Sequence, residues 1–117
     1  MNQLINIFKM LSDENRLRII MLLYKEELCV CQLEGILKIS QPRISQNLSK
    51  LRDLNLVEDE RREKFVFYSL KKEHKLLLNL LENIEEKITS YPVLVDDLAR
   101  LQGKDSYLSV CRGQPKQ

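Results

Sequence analysis

A mainly α-helical fold closed by one small β-hairpin, a winged helix-turn-helix, is predicted by three features of the chain. Apolar residues recur at helical spacing from Leu4 to Leu51. The period then changes to strand-like runs at 56–59 and 65–70, rich in Val, Phe and Tyr. A leucine-rich stretch at 73–89 returns to helical spacing.

The elements follow in order. Leu4, Ile5, Ile7, Phe8 and Leu11 give a short first helix. Ser12-Asp13 supplies cap residues ahead of a second helix filled by Leu17, Ile19, Ile20, Leu22 and Leu23. A third helix is expected over about 30–38, with Leu33, Ile36 and Leu37 inward. Ile39-Ser40 makes the turn. Pro42 then falls in the first turn of a fourth helix, where its missing N–H costs nothing. Ile44, Leu48 and Leu51 form that helix's buried stripe, and its other faces carry hydrogen-bonding side chains. The two strand-like runs make a wing with the charged tip 60–64. On the long fifth helix Leu77, Leu81, Ile84 and Ile88 mark one face, and Leu76, Leu78 and Leu80 broaden it. So wide a stripe exceeds what one small core needs, so part of it is expected to meet a second subunit, giving a dimer through the terminal helices. Pro92 precedes a last helix, 93–101. Residues 1–102 are thus read as one domain, and 103–117 as a mobile tail carrying Cys111.

Composition narrows the function. With 44% hydrophobic and 31% charged residues in 117, the chain reads as a single soluble globular domain. No apolar run approaches the ~18 residues of a membrane span, and no leader pattern opens the chain, so a cytoplasmic location is expected. Catalysis is disfavoured: there is one histidine, no glycine-rich phosphate loop and no carboxylate pair in an apolar frame, and His74 lies far in sequence from any cysteine. Charge is unevenly spread. Between Gly35 and Arg52 stand Lys38, Arg43, Lys50 and Arg52 with no acid, whereas carboxylates return at Asp53, Glu58, Asp59, Glu60 and Glu63. A basic stretch on a polar helix followed by a hairpin fits double-stranded DNA. Gln41, Arg43, Ser45 and Gln46 are the expected base readers in the major groove. Ser49, Lys50, Arg61, Arg62 and Lys64 are the expected phosphate contacts.

Two of the three cysteines, Cys29 and Cys31, stand two apart at the start of the third helix. On a regular helix they would diverge by about 200°, whereas in extended chain they face one side. Joint chelation would therefore need that helix start unwound, and a helix N-terminus favours the thiolate. Soft thiolates suit trivalent arsenic or antimony, or cadmium, lead or zinc. Burial as small apolar residues and a disulfide or persulfide redox switch are the other readings; a strained bridge between i and i+2 directs any disulfide toward Cys111.

The runs Leu28-Cys29-Val30-Cys31-Gln32-Leu33, Ile39-Ser40-Gln41-Pro42-Arg43-Ile44-Ser45-Gln46-Asn47-Leu48 and Leu51-Arg52-Asp53-Leu54-Asn55-Leu56-Val57 resemble the ArsR/SmtB family of arsenic- and metal-responsive repressors. The segment Ser12-Asp13-Glu14-Asn15-Arg16-Leu17-Arg18-Ile19 is similar to its second-helix signature. The resemblance spans about 5–88. It implies a homodimer on a palindromic operator, its reading helices about 34 Å apart, released by inducer. Arsenite or antimonite is the implied inducer, cadmium, lead or zinc the alternative, and no organic cofactor is needed. The third arsenite-binding sulfur of such proteins falls here at Glu34. Cys111 is the one remaining thiol, and an extended tail from Gly103 spans on the order of 27 Å. A three-sulfur site of Cys29, Cys31 and Cys111 is therefore expected. The family's other site, on the fifth helix, would fall at Lys72, His74, Glu85 and Ile88, two of which are not ligands. Glu63 replaces the usual wing-tip glycine, so a wider tip is expected.

Overall fold

The computed structural model describes residues 1–111, with side chains described through residue 108. The order is α1 (Asn2–Leu11), α2 (Glu14–Lys25), β1 (Leu28–Cys29), α3 (Val30–Leu37), α4 (Gln41–Asp53), β2 (Val57–Arg62), β3 (Phe65–Leu70), α5 (Lys75–Glu86), a 3-10 turn (Ile88–Ser90), α6 (Pro92–Leu101) and α7 (Ser106–Cys111). The winged helix-turn-helix is present as expected. Asp13 caps α2, its side chain accepting from the Arg16 N–H at 3.0 Å. Ile19, Ile20, Leu22, Leu33, Ile36, Ile44, Leu51 and Leu56 are fully buried, each stabilising the fold by roughly 1.5–3 kcal/mol through lost apolar exposure.

The sheet holds one strand more than the hairpin. Its order is β1-β3-β2, all antiparallel, with Leu28 opposite Tyr68 and Cys29 opposite Phe67. Too short to show a period-2 pattern, β1 is invisible in the sequence, yet it fixes Cys29 against the wing.

Three expectations are corrected. The wing tip is tight, not wide: Arg62 pairs with Phe65, leaving Glu63 and Lys64 as the turn. Glu63 accordingly adopts φ 57°, a left-handed conformation that costs a side-chain-bearing residue about 1–2 kcal/mol. The strand ends hold it there, because Arg62 is ion-paired to Glu27 and Glu60. Second, α5 is shorter than 73–89. His74 stays outside as its N-cap residue, with Nε2 2.8 Å from the Asn55 carbonyl, and the helix gives way to a 3-10 turn after Glu86. Third, the surplus apolar surface is not mainly on α5. Leu77 and Leu81 are buried and Leu78, Leu80 and Ile84 pack against the core, leaving Leu76 exposed. The larger exposed set is Ile5 and Phe8 on α1 with Tyr91, Val93 and Val95 at α6.

Of the expected tail 103–117, the structure describes residues 103–111. A turn leads into α7, which docks on α3. Gly35 permits this: a Cβ there would lie 2.2 Å from the Tyr107 ring. Gln32 Nε2 donates to the Lys104 carbonyl at 3.4 Å, and Lys104 is ion-paired to Glu26. Residues 112–117 of the expected tail lie outside the described residues.

Candidate functional site

The fourth helix displays the predicted readers. Arg43, Gln46, Ser49 and Lys50 are exposed, while Gln41 and Ser45 are half-buried and joined by a 3.4 Å hydrogen bond one helical turn apart. Ile44, Leu48 and Leu51 anchor the opposite side. Asn47 turns inward: it is 7% exposed, its Nδ2 donates to the Arg43 carbonyl and its Oδ1 accepts from Arg16 Nη1. Asn47 thus fixes α4 to α2 and leaves the outer face to its neighbours.

On the wing the two arginines part company. Arg62 donates to Glu27 and Glu60 and lies 5.2 Å above the Phe67 ring. Two carboxylates raise its already high pKa, so it is held charged and engaged with them on the exposed wing. Arg61 instead lines a cleft of about 260 Å³ between wing and reading helix. Arg61→Ala is therefore expected to weaken DNA binding uniformly and to reduce the salt slope by about one, as for one lost phosphate contact. Arg62→Ala leaves the slope unchanged; an anisotropy titration at several salt concentrations separates the two. Lys64 at the tip is exposed and free to approach phosphate.

The same cleft is lined by Cys29, Gln41, Ser45, Phe65 and Tyr68. Cys29 and Cys31 are 2% and 6% exposed and share one buried cluster, packed against Phe65, Phe67 and Leu108. The strand-to-helix boundary brings this about. Cys29 ends β1 in extended backbone and is the N-cap of α3, while Cys31 is one residue inside the helix. The pair thus straddles the junction, Cys29 in extended backbone and Cys31 inside the helix. Cys29 takes the serine position of a capping box: its sulfur accepts from the Gln32 N–H, and Gln32 Oε1 accepts from the Cys29 N–H at 3.1 Å. Cysteine followed three residues later by glutamine was the sequence signal for this cap.

The thiol is not activated as expected. Burial raises the Cys29 pKa above its ordinary value, outweighing the backbone N–H groups that lower it. A raised folded pKa means stability that is present below the unfolded thiol's ~8.5 and is lost as pH rises through the folded value. Thermal stability is thus expected to fall above about pH 8.5–9 and to fall less in Cys29→Ser. Tyr68, also raised by burial, titrates in both proteins. Cys29 is a free thiol, whereas Cys31 is disulfide-bonded. Cys111 ends α7, and its side chain lies outside the described ones. Among the described residues no three His, Cys, Asp or Glu side chains form a ready cation cage. The lone histidine, His74, spends both ring nitrogens on Asn55 and Gln3.

The sequence pattern of bacterial regulatory proteins of the arsR family matches residues 13–59. The cadmium resistance transcriptional regulatory protein CadC of Listeria innocua is 39% identical over 85 residues, covering 69% of this chain and 70% of CadC. The chain belongs to the arsR family. A second arsR-family relative, the arsenic resistance transcriptional regulator ArsR1 of Pseudomonas putida, is 43% identical over 65 residues, 55% of this chain. That match spans 51%, about half, of the length of ArsR1. Among solved structures, the transcriptional repressor BigR from Xylella fastidiosa matches with a TM-score of 0.65 and 34% identity, over 71% of this chain and 83% of BigR. In this arsR-family protein the matched stretch runs from the α2 cap through α3 and α4 into β2, so it includes the thiol pair. The segment from α6 to α7 lies beyond it. No helix among the described residues is long and apolar enough to cross a membrane.

Proposed function

We propose that this protein is a homodimeric transcriptional repressor that grips a palindromic operator with α4 and the wing. It releases the operator when trivalent arsenic or antimony is taken up by Cys29, Cys31 and Cys111. One observation carries the reading: Cys29 lines the same cleft as the expected base readers Gln41 and Ser45 and as Arg61. A soft ligand at the thiol pair fits this donor set, since two buried sulfurs already share one cluster. Leu108 of α7 packs on that pair, and position 111 is three residues further along the same helix, which supports Cys111 as the third ligand. Taking Cys29 as a ligand removes its sulfur from the cap of α3, and loss of a cap costs a helix roughly 0.5–2 kcal/mol. This is a direct route from inducer to the reading unit. The exposed apolar residues of α1 and α6 are suited to the dimer contact.

A thiol redox switch is the second reading, favoured by the disulfide at Cys31. In it, a bridge between Cys31 and Cys111 is the oxidised state, and a metalloid is bound only after reduction.

The test is fluorescence anisotropy of the reduced protein on a palindrome from its own promoter. Arsenite, antimonite, cadmium, lead and zinc are added in turn to the parent and to Cys29→Ser, Cys31→Ser and Cys111→Ser. Release by arsenite or antimonite that each substitution weakens about tenfold or more is the expected result, about 1.4 kcal/mol. Release by the divalent ions alone would place the protein with cadmium sensors, and release by a thiol oxidant alone with redox switches. An unchanged arsenite response in Cys111→Ser would remove the third ligand.

A further inference from the structure

The joint between the two helices of the DNA-reading unit buries Leu37, Ile39 and Ile44 but lacks the usual polar caps of its own. Lys38 ends α3 at φ 59°, a left-handed conformation usually left to glycine. Ser40 begins α4 without a side-chain cap, and α4 has no acid in its first turn. Its side-chain polar ties come from elsewhere in the chain. Asp97 of α6 is 1% exposed and lies 79 residues from its partner Arg18 of α2. Its Oδ2 accepts from Arg18 Nε at 2.9 Å, and its Oδ1 accepts from Arg18 Nη2 at 2.9 Å and Arg100 Nη2 at 3.0 Å. Each arginine then donates onward to the last turn of α3: Arg18 Nη2 to the Leu37 carbonyl at 3.1 Å, Arg100 Nε to the Ile36 carbonyl at 2.6 Å. These carbonyls belong to the unpaired end of the helix, where cations are favoured.

We propose that Asp97 is a positioning residue for DNA recognition: through Arg18 and Arg100 it locks the end of α3 and so sets where the reading helix α4 begins. A carboxylate on α6 suits the task. It orients two guanidinium groups at once, and removing a partner from a buried charge is costly. Arg18, held charged by Asp97, keeps its own pKa raised. The helix that carries Asp97 also carries the exposed Val93 and Val95. The clamp thereby ties the reading helix to the same helix that offers the apolar face, so that a contact made by α6 is felt at the start of α4. This positioning role does not depend on the identity of the inducer.

Three variants test it: Asp97→Asn, Arg100→Met and, as a control on exposed surface, Asp96→Asn. Arg100→Met is the safeguard against misfolding, since it leaves the Arg18–Asp97 pair intact. Operator affinity and affinity for an unrelated duplex are measured well below the melting temperature, with hydrogen exchange followed at 38–44. Arg100→Met is expected to lose about tenfold or more in operator affinity and to keep its affinity for the unrelated duplex. Exchange at 38–44 should quicken selectively, with Asp97→Asn more affected wherever it folds and Asp96→Asn unaffected. Arg100→Lys, which retains a cation at the α3 carbonyls, should recover part of the loss. A purely structural clamp would instead lower the melting temperature and leave the ratio of operator to unrelated affinity unchanged. That outcome, or exchange quickened evenly along the chain, overturns the proposal.

Discussion

Replacing Gly35 with alanine is expected to lift α7 from α3 and to blunt the inducer response while leaving operator binding largely intact. The added methyl would sit 2.2–2.6 Å from three atoms of the Tyr107 ring, including the ring carbon nearest the backbone, so a simple rotation of the ring is not enough. Two effects compete. Alanine improves helix propensity by about 1 kcal/mol over glycine, and overpacking costs about 1–3 kcal/mol. The clash wins unless α7 leaves, and its leaving forfeits the packing of Tyr107 and Leu108, which the propensity gain only partly offsets. Exchange of amides 104–108 should therefore rise about tenfold or more, and the arsenite needed for release should rise with it. Tyr107→Ala should weaken the response alike, and Gly35→Ala added to it should then raise stability by up to about 1 kcal/mol. Unchanged exchange at 104–108 in Gly35→Ala would show that α7 is not seated against Gly35.

Arg43→Ala and Gln46→Ala are expected to produce the largest losses of operator affinity, about 1–3 kcal/mol each, or roughly 5- to 150-fold, with relaxed preference at the bases they face. Both project from the exposed side of α4, backed by a stripe that is buried throughout. Lys50→Ala should weaken all sequences equally, as for a phosphate contact. Asn47→Ala gives the contrasting signature: its amide is bonded to Arg16 and to the Arg43 carbonyl, so stability falls and base preference does not change. Binding-site selection on the four variants separates these outcomes.

The helices and the wing were legible because each carries a repeating signal: Leu48 and Leu51 behind Ile44, Asp13 before Glu14, a run of Val, Phe and Tyr at 65–68. Elements that depend on a single long-range contact were not. β1 is two residues long and exists through its pairing with Phe67 and Tyr68. α7 is held by Gly35 and Gln32, some 70 residues away, so its sequence alone read as tail. The thiol pair was found from spacing, but its chemistry was half misread. The N-terminus of α3 does turn N–H groups toward Cys29, and desolvation outweighs them. Asp97 and Arg100 looked like ordinary charges on the last helix, because nothing local reveals that Asp97 is buried against Arg18. The ion pair of Arg62, an expected phosphate contact, with Glu27 was likewise not legible, because Glu27 lies 35 residues upstream.

The most direct test of an inducer acting through the thiol pair is the arsenite affinity of the reduced protein, measured free and again when saturated with operator. A ligand that drives release must bind the free form more tightly, by a coupling of about 1–3 kcal/mol, or roughly 5- to 150-fold. The account predicts a ratio in that range for the parent protein and near unity for Cys29→Ser. Equal affinities of free and operator-bound parent protein would contradict it.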